Sequence, residues 1–482
     1  MSVVAQVRPD LNLSWNRIFD RIGRSETRNA GFVAGTGGAI VHDVKVTVKA
    51  TNGATISVTP PEGFTCTDGV CTATAFGPKP AAFDVQFTAP DREGGDRVAL
   101  QAEAISSDED ANPFNNKLLF SAQVARLFTV TADVDSGAGS LRQTILDVDR
   151  SCSDVPCRVI FALPAPVVIR PESPLPPIRG RVMLDGADNV TLRGDRQPSG
   201  DGLFVDLACE VIIEGLSIDG FAGNGVSVGN STVCLGTTFP PVIINGNTIT
   251  GNLRGIGGSG ADIVWITDNV IGGNRRSAIF LLAGRTALIA NNFIGLTPDG
   301  AALPNGASGI YVNLFSATIA ENVIANNTDF GIAVSATSPA TSVRRNRIFG
   351  NGHTAIDVGL DLESANGNDA QRNLVNHPVL TDAHYDAVSD RTVVRGHFET
   401  KRNAGAPVIE LFASAALNAE GHAQAERFIG EQRLATNQSD FEFAAPGNLN
   451  GQWIAATATI EDFLSALSDA TSELSAPLRV SP

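Results

Sequence analysis

One short phrase, Ile-x-x-Asn-x-Ile, returns five times between Val242 and Gly359 and limits what this chain can fold into more than any other feature. The copies run Ile244 to Ile249, Ile266 to Ile271, Ile289 to Ile294, Ile319 to Ile324, and Val343 to Ile348. Their asparagines, Asn247, Asn269, Asn292, Asn322 and Asn346, lie 22, 23, 30 and 24 residues apart. That is too long for a heptad and suits a solenoid with one supersecondary unit per coil. A second asparagine follows five residues later at Asn252, Asn274, Asn327 and Asn351, with Thr297 standing in where one coil carries a longer loop. Parallel β-strands stack at about 4.8 Å, so a residue repeated once per coil lies on its own copies. An amide both donates and accepts, so an asparagine column can bond along the axis. Its short side chain also tolerates the left-handed backbone of a tight corner, which the spacing assigns to these asparagines. The isoleucines fill the interior. A further apolar strand follows each coil's second asparagine, as in Ile279-Phe280-Leu281, Ile310-Tyr311-Val312, Ile332-Ala333-Val334 and Ile356-Asp357-Val358. The expected fold class is therefore all-β, with a parallel β-helix at its centre.

The flanks read differently. Before residue 126, Val44 to Val48, Phe83 to Phe87 and Val98 to Ala102 alternate with period two between turn residues, the pattern of a β-sandwich. After residue 376 the same alternation returns in Val393 to Phe398, Val408 to Phe412, Phe441 to Phe443 and Trp453 to Thr459. Between them, Leu141, Ile145 and Val148 make one apolar face at helical spacing, and Ser140 is placed to cap the first turn. A short amphipathic helix at 140–149 is expected to cover the open end of the first coil. The division is thus 1–125, an immunoglobulin-like β-sandwich; 126–376, the β-helix with its capping helix; and 377–482, a C-terminal β-sandwich. The coil Ile212 to Gly220 aligns with Ile243 to Gly251 but carries Leu216 in place of the asparagine, so the ladder starts one coil later. Insertions at 229–240 and 297–307 are expected to form loops of the kind that carry specificity.

Sequence motifs add a resemblance. The run Gly63-Phe64-Thr65-Cys66 to Cys71, Phe83 to Pro90, and the closing Asp108 to Asn116 resemble an immunoglobulin-like repeat module of bacterial surface proteins. Gly139-Ser140-Leu141-Arg142-Gln143 is similar to the Ser-Leu-Arg-Glu-Ala type of opening motif of secreted bacterial right-handed β-helix proteins, and Phe161 to Pro164 and Leu184-Asp185-Gly186 continue that pattern. The C-terminal strands with Ala470 to Ser475 resemble the sandwich that follows the helix in the same proteins. The resemblance implies the right hand of the helix and a secreted or cell-surface location. It carries over no catalytic residue.

Composition bears on compartment and partners. A formal charge of -16 repels nucleic acid and other polyanions at long range, and disfavours polyanionic glycans too. No run reaches the roughly 18 apolar residues of a membrane span, and the start, Met1 to Gln6, is too short for a secretory signal, which suggests a mature form already trimmed. The six cysteines pair as Cys66 with Cys71, Cys152 with Cys157, and Cys209 with Cys234; without Cys-x-x-Cys spacing or a nearby His, disulfides in an oxidising compartment are the better reading than a metal site.

Candidate chemistry lies on outward columns. The residue before each ladder asparagine sits on an outer corner, which places Asp268 and Glu321 two coils apart, about 10 Å, near the carboxyl separation of an inverting glycosidase. Solvated corner charges, with Glu321 paired to Arg345, are the plainer account. A second column runs through Phe280, Tyr311 and Asp357, with Asn313 alongside; aromatic rings stack on sugars, and Asn and Asp orient hydroxyls. The apolar column Val270, Phe293 and Val323 favours cover by a loop or neighbouring domain. No lysine lies between Lys117 and Lys401, so a lyase base would have to be Arg344, Arg345, Arg276, His353 or Tyr311. Arg344, Arg345 and Arg347 form one basic cluster, and His353 stands four residues before Asp357. Two loops have the oxygen ligands calcium needs: Asp357, Asp361, Glu363, Asn366, Asn368 and Asp369, and Asp108, Asp110, Asn112 and Asn115. These readings lead to two expectations. In one, the solenoid binds extracellular carbohydrate or another cell-surface component through its outward faces and loops. In the other, a polysaccharide hydrolase or lyase works along a groove of the helix.

Overall fold

The computed structural model describes residues 9–17, 21–92, 96–208, 210–230, 242–338, 341–359, 375–399, 406–435, 438–460 and 469–482. The chain divides into two compact units, Met1–Phe128 with Ser151–Val159, and Thr129–Arg150 with Ile160–Pro482.

In the first unit, strands Asn12–Arg17, Thr27–Gly35, Ala81–Thr88 and Thr55–Thr59 form one antiparallel sheet in that order. Val41–Ala50, Thr65–Thr67, Val70–Phe76, Arg97–Ile105 and Lys117–Val130 build a second. Alternation along Ala81–Thr88 sends Phe83, Val85 and Phe87 inward, where Phe83 stacks on Phe32 at 4.8 Å. The two sheets share that core. Cys66 and Cys71 join the hairpin, and Cys152 is bonded to Cys157. Cys209 and Cys234 lie outside the described residues.

The second unit is built by stacking. Three parallel sheets wind together, and each places one column of branched side chains inside. The first column is Ile213, Ile244, Ile266, Ile289, Ile319 and Val343. The second is Ile218, Ile249, Ile271, Ile294, Ile324 and Ile348. The third is Val226, Ile256, Ile279, Ile310, Ile332 and Ile356, in an eight-stranded sheet. All are buried, each worth about 2 kcal/mol of transfer free energy.

Between the first and second sheets the ladder asparagines point inward. Asn269 is fully buried; its Nδ2 reaches Ile244 O at 2.9 Å and Thr267 O at 2.8 Å, and Asn292 Oδ1 accepts from both its N–H and its Nδ2. The same bonds join Asn247 to Asn269, Asn292 to Asn322, and Asn322 to Asn346. The expected left-handed corner falls one residue earlier than the asparagine: Gly246, Asp268, Asn291, Glu321 and Arg345 have φ of 63, 57, 57, 57 and 53°. Turning the chain there aims the following amide along the axis.

The second ladder corrects one expectation. Asn305, not Thr297, occupies the third position: its Oδ1 accepts from Asn274 N and Nδ2, and its Nδ2 donates to Asn327 Oδ1 at 2.8 Å. The insertion comes before the corner, so the ladder position is delayed by eight residues. Thr297 instead ties the loop through Ala301, whose N–H reaches its Oγ1 at 3.1 Å.

Helix α1 (Leu141–Ser151) begins as expected, with Ser140 Oγ accepting from Gln143 N at 3.2 Å. Leu141, Thr144, Ile145 and Val148 are buried, and Arg142 donates to the carbonyls of Ser173 and Pro174, which ties the helix to the start of the solenoid.

C-terminal antiparallel sheets cover the other end. Val379–Asp386, Arg391–His397 and Asp440–Pro446 form one; Arg427–Arg433, Pro407–Ser414, Trp453–Ile460 and Ala470–Thr471 form the other, with a shared core. Four N–H groups of the last coil meet acceptors from this segment. Val343 N donates to Thr471 Oγ1 at 2.8 Å, Arg345 N to Glu410 Oε2 at 3.3 Å, Ile348 N to Ala425 O at 2.8 Å and Val358 N to Glu473 Oε1 at 2.7 Å.

Asn292→Ala strips partners from Asn269 N and Nδ2 and from the carbonyls of Ile266 and Ala290, and is expected to cost about 3 kcal/mol in chemical denaturation. Asn305→Ala is expected to cost about 2 kcal/mol and Thr297→Ala under about 0.5. Equal effects of the last two would contradict the assigned ladder.

Candidate functional site

The outward side of the eight-stranded sheet collects the chemistry. In register along its middle column stand Gly257, Phe280, Tyr311, Ala333 and Asp357. Phe280 and Tyr311 are half-buried and lie nearly parallel, centroids 4.7 Å apart and planes at 11°. The stack follows from register: adjacent coils hold equivalent side chains at the inter-strand distance. On the other side of Phe280 the column position is Gly257, and a Cβ there would meet Asn224 Nδ2 at 2.4 Å. The Arg254 guanidinium lies over the Phe280 ring at 4.3 Å. Asn313, one coil from Leu282, accepts from Thr337 Oγ1 at 2.7 Å.

The neighbouring coils bring charge to this edge. Arg276 N bonds Leu253 O at 2.7 Å, which sets its corner against that of Arg254. Arg254 is held below the usual arginine value, first by burial and then by the charge of Arg276, with Asp201 opposing. Asp201 itself accepts from Asn224 N at 2.7 Å. Arg254 had no signal in the coil phrase, because its contact is with an aromatic one coil away.

The other candidates are distributed differently. Asp268 and Glu321 are exposed corners with the Asn291 corner between them. Partial burial pushes the Asp268 carboxyl up, against a hydrogen bond from Thr267. Arg345 pairs with Glu431 at 3.0 Å rather than with Glu321. Arg344 lies between Glu410 at 3.0 Å and Glu431 at 2.9 Å, so this basic pair meets acids of the C-terminal sheets and not of adjacent coils. The carboxylate brought to His353 is Glu420, at 2.8 Å, while the ring lies 5.2 Å from Phe330. Asp357 is fully buried beside the Val358 to Glu473 bond. Val270, Phe293 and Val323 stack in register and are half-buried.

Of the first acidic loop, 361–369 lies outside the described residues. In the second, Asp108 accepts from His42 N and Nδ1 at 2.7 and 3.0 Å, Asp110 from Asn112 N and Asn116 Nδ2 at 2.9 and 2.8 Å, and Asn115 donates to Asp10 at 3.0 Å. Among the described residues no group of three or more His, Cys, Asp or Glu is arranged to hold a metal ion, and no helix is long and apolar enough to cross a membrane.

Three stacked sheets, two inward amide ladders and the repeated corner conformation agree with the comparison by family. Residues 201–375 match the right-handed β-helix region. Among curated proteins no match to the chain was found. Of solved structures, the A-module of the Azotobacter vinelandii mannuronan C-5 epimerase AlgE6 is similar over 48% of this chain and 72% of that one, at 15% identity and a TM-score of 0.33. The catalytic domain of a GH87 α-1,3-glucanase in complex with tetrasaccharides is similar over 73% of this chain and 89% of that one, at 10% identity and a TM-score of 0.21. A CARDB domain from Pyrococcus furiosus in complex with di-metal ions is similar over 26% of this chain and 95% of that one, at 19% identity and a TM-score of 0.18.

The β-helix and its C-terminal sheets meet in a network whose two acids respond to pH in opposite senses. Burial pushes Glu410 above the ordinary carboxylate value despite Arg344, so its contribution to stability is present below the unfolded value and lost as pH rises through the folded one. Burial also pulls Glu431 upward, but the Arg345 hydrogen bond and the charges of Arg344 and Arg345 outweigh it and hold it low. Its contribution is present above the unfolded value near 4.5 and lost as pH falls through the folded one. The Glu431→Gln variant is expected to show a shallower fall of Tm below about pH 4.5 than the unaltered chain. Arg344→Ala leaves the Glu410 carboxyl buried without its cation and is expected to cost about 3–5 kcal/mol at neutral pH.

Proposed function

We propose that this chain binds extracellular polysaccharide along the outward face of the eight-stranded sheet. The supporting observation is the Phe280 and Tyr311 pair, stacked with their planes parallel to within 11° and set in a row that follows the helix axis. Two rings stacked in register on a rigid sheet present an apolar ridge of ring edges fixed by coil spacing, while half-exposed polar groups beside it supply orientation. Rigid placement also limits the ordering cost of binding a flexible chain. Export to an oxidising, extracellular setting fits the bonded cysteines.

A second reading, a hydrolase or lyase acting on polysaccharide, is favoured by one observation: Asp268 is a surface carboxyl displaced toward the protonated form, two coils from Glu321. A general acid needs that displacement.

Both readings are tested on one set of glycans, scored for retention and for new reducing or unsaturated ends. Binding without cleavage, weakened about tenfold or more in Phe280→Ala with Tyr311→Ala, is the expected result. Unchanged affinity in that double variant would refute the ligand face. New ends that vanish in Asp268→Asn and Glu321→Gln would favour the enzyme.

A further inference from the structure

Two arginines, Arg254 and Arg276, stand on neighbouring coils at one edge of the aromatic row. Many guanidiniums of the solenoid unit meet carboxylates, as in Arg285 with Asp262 at 2.9 Å, Arg193 with Asp219 at 3.2 Å and Arg344 with Glu410 at 3.0 Å, and others meet backbone carbonyls, as Arg275 meets Phe221 O at 2.9 Å and Arg347 meets Glu426 O at 3.2 Å. Among the described residues, Arg254 and Arg276 make no ion pair, although the chain carries a net charge of -16. The carboxylate that acts on Arg254, Asp201, is already bonded to Asn224 N. Arg254 is also partly desolvated by the ring beneath it, and placing Arg276 on the adjacent coil adds like-charge repulsion. Two neighbouring cations without an acid cost free energy in the unbound protein, and an anion between them would recover it. A guanidinium laid flat on an aromatic ring is preorganised to present its edge donors to a carboxylate.

We infer that the edge of the sheet formed by Arg254 and Arg276 is an anion subsite, and that the polysaccharide bound on Phe280 and Tyr311 is an acidic one bearing sugar carboxylates. The inference rests on the ligand face proposed above and adds its charge class. It runs against the sign of the whole chain, because recognition is local: at about 0.15 M salt, charges more than about 8 Å away are largely screened, whereas a contacting pair is not. From Gly257 to Ala333 the row spans three coil steps, about 14 Å, so sugar units on the rings and a carboxylate at the arginine edge belong to one continuous chain.

The test uses a polyuronate oligosaccharide and the same oligosaccharide methyl-esterified, which removes the charge and leaves the rings. The full chain is titrated with each at low and high salt, and the Arg254→Gln, Arg276→Gln double variant is titrated alongside, its Tm confirming the fold. The acid form is expected to bind at least tenfold more tightly than the ester, with the difference shrinking at high salt and disappearing in the double variant while ester binding persists. Equal affinity for acid and ester would overturn the anion subsite and leave the ligand face standing. A preference for acid that survives in the double variant would overturn the assignment to these arginines. No binding of either form, together with none to neutral glycans, would overturn the ligand face and the subsite together.

Discussion

The solenoid depends on what one primary amide can do in a place without water. At each bend the backbone leaves N–H and C=O groups that the sheet ladders do not reach, and the asparagine there takes up both kinds. Its oxygen receives two donors from the coil before, and its nitrogen reaches that coil's carbonyl and its own. An aspartate could not donate, and a leucine could do neither. This explains why an interior otherwise filled with isoleucine and valine carries buried amides at the bends, and why the column begins by accepting from the N–H of Leu216, which needs only one acceptor.

Much of this arrangement was legible in the chain itself, because a once-per-coil interaction writes itself as a period. The isoleucine columns, the first amide ladder, the helix at Leu141 and the flanking alternation all follow from local spacing. Where the inference slipped, the cause was geometric. A loop inserted ahead of the corner carries the third amide of the second ladder to Asn305, whereas a fixed step of five residues from Asn292 points to Thr297. The strained φ belongs to the residue before the asparagine, a position occupied by Gly, Asp, Asn, Glu and Arg in turn, so no single residue type marked it.

The candidate site was legible in part for the same reason. Phe280 and Tyr311 are equivalent positions of consecutive coils, and their stacking could be read from the repeat. Arg254 could not, since it meets an aromatic of the next coil from a position outside the repeated phrase. The partners of Arg344, Arg345 and His353 come from 65 to 87 residues downstream, at Glu410, Glu431 and Glu420. No periodic pattern connects a coil to a segment outside the repeat, so an exposed-looking basic cluster turned out to be a joint.

That joint also governs growth. A wound ribbon whose final rung was bare would offer a row of donors to the first rung of another molecule, the way fibres extend. Here a threonine hydroxyl, two glutamate carboxylates and a loop carbonyl already occupy the donors of Val343, Arg345, Val358 and Ile348. On that side the ribbon's own chain already holds these four donors, and head-to-tail addition of a further copy would have to displace it.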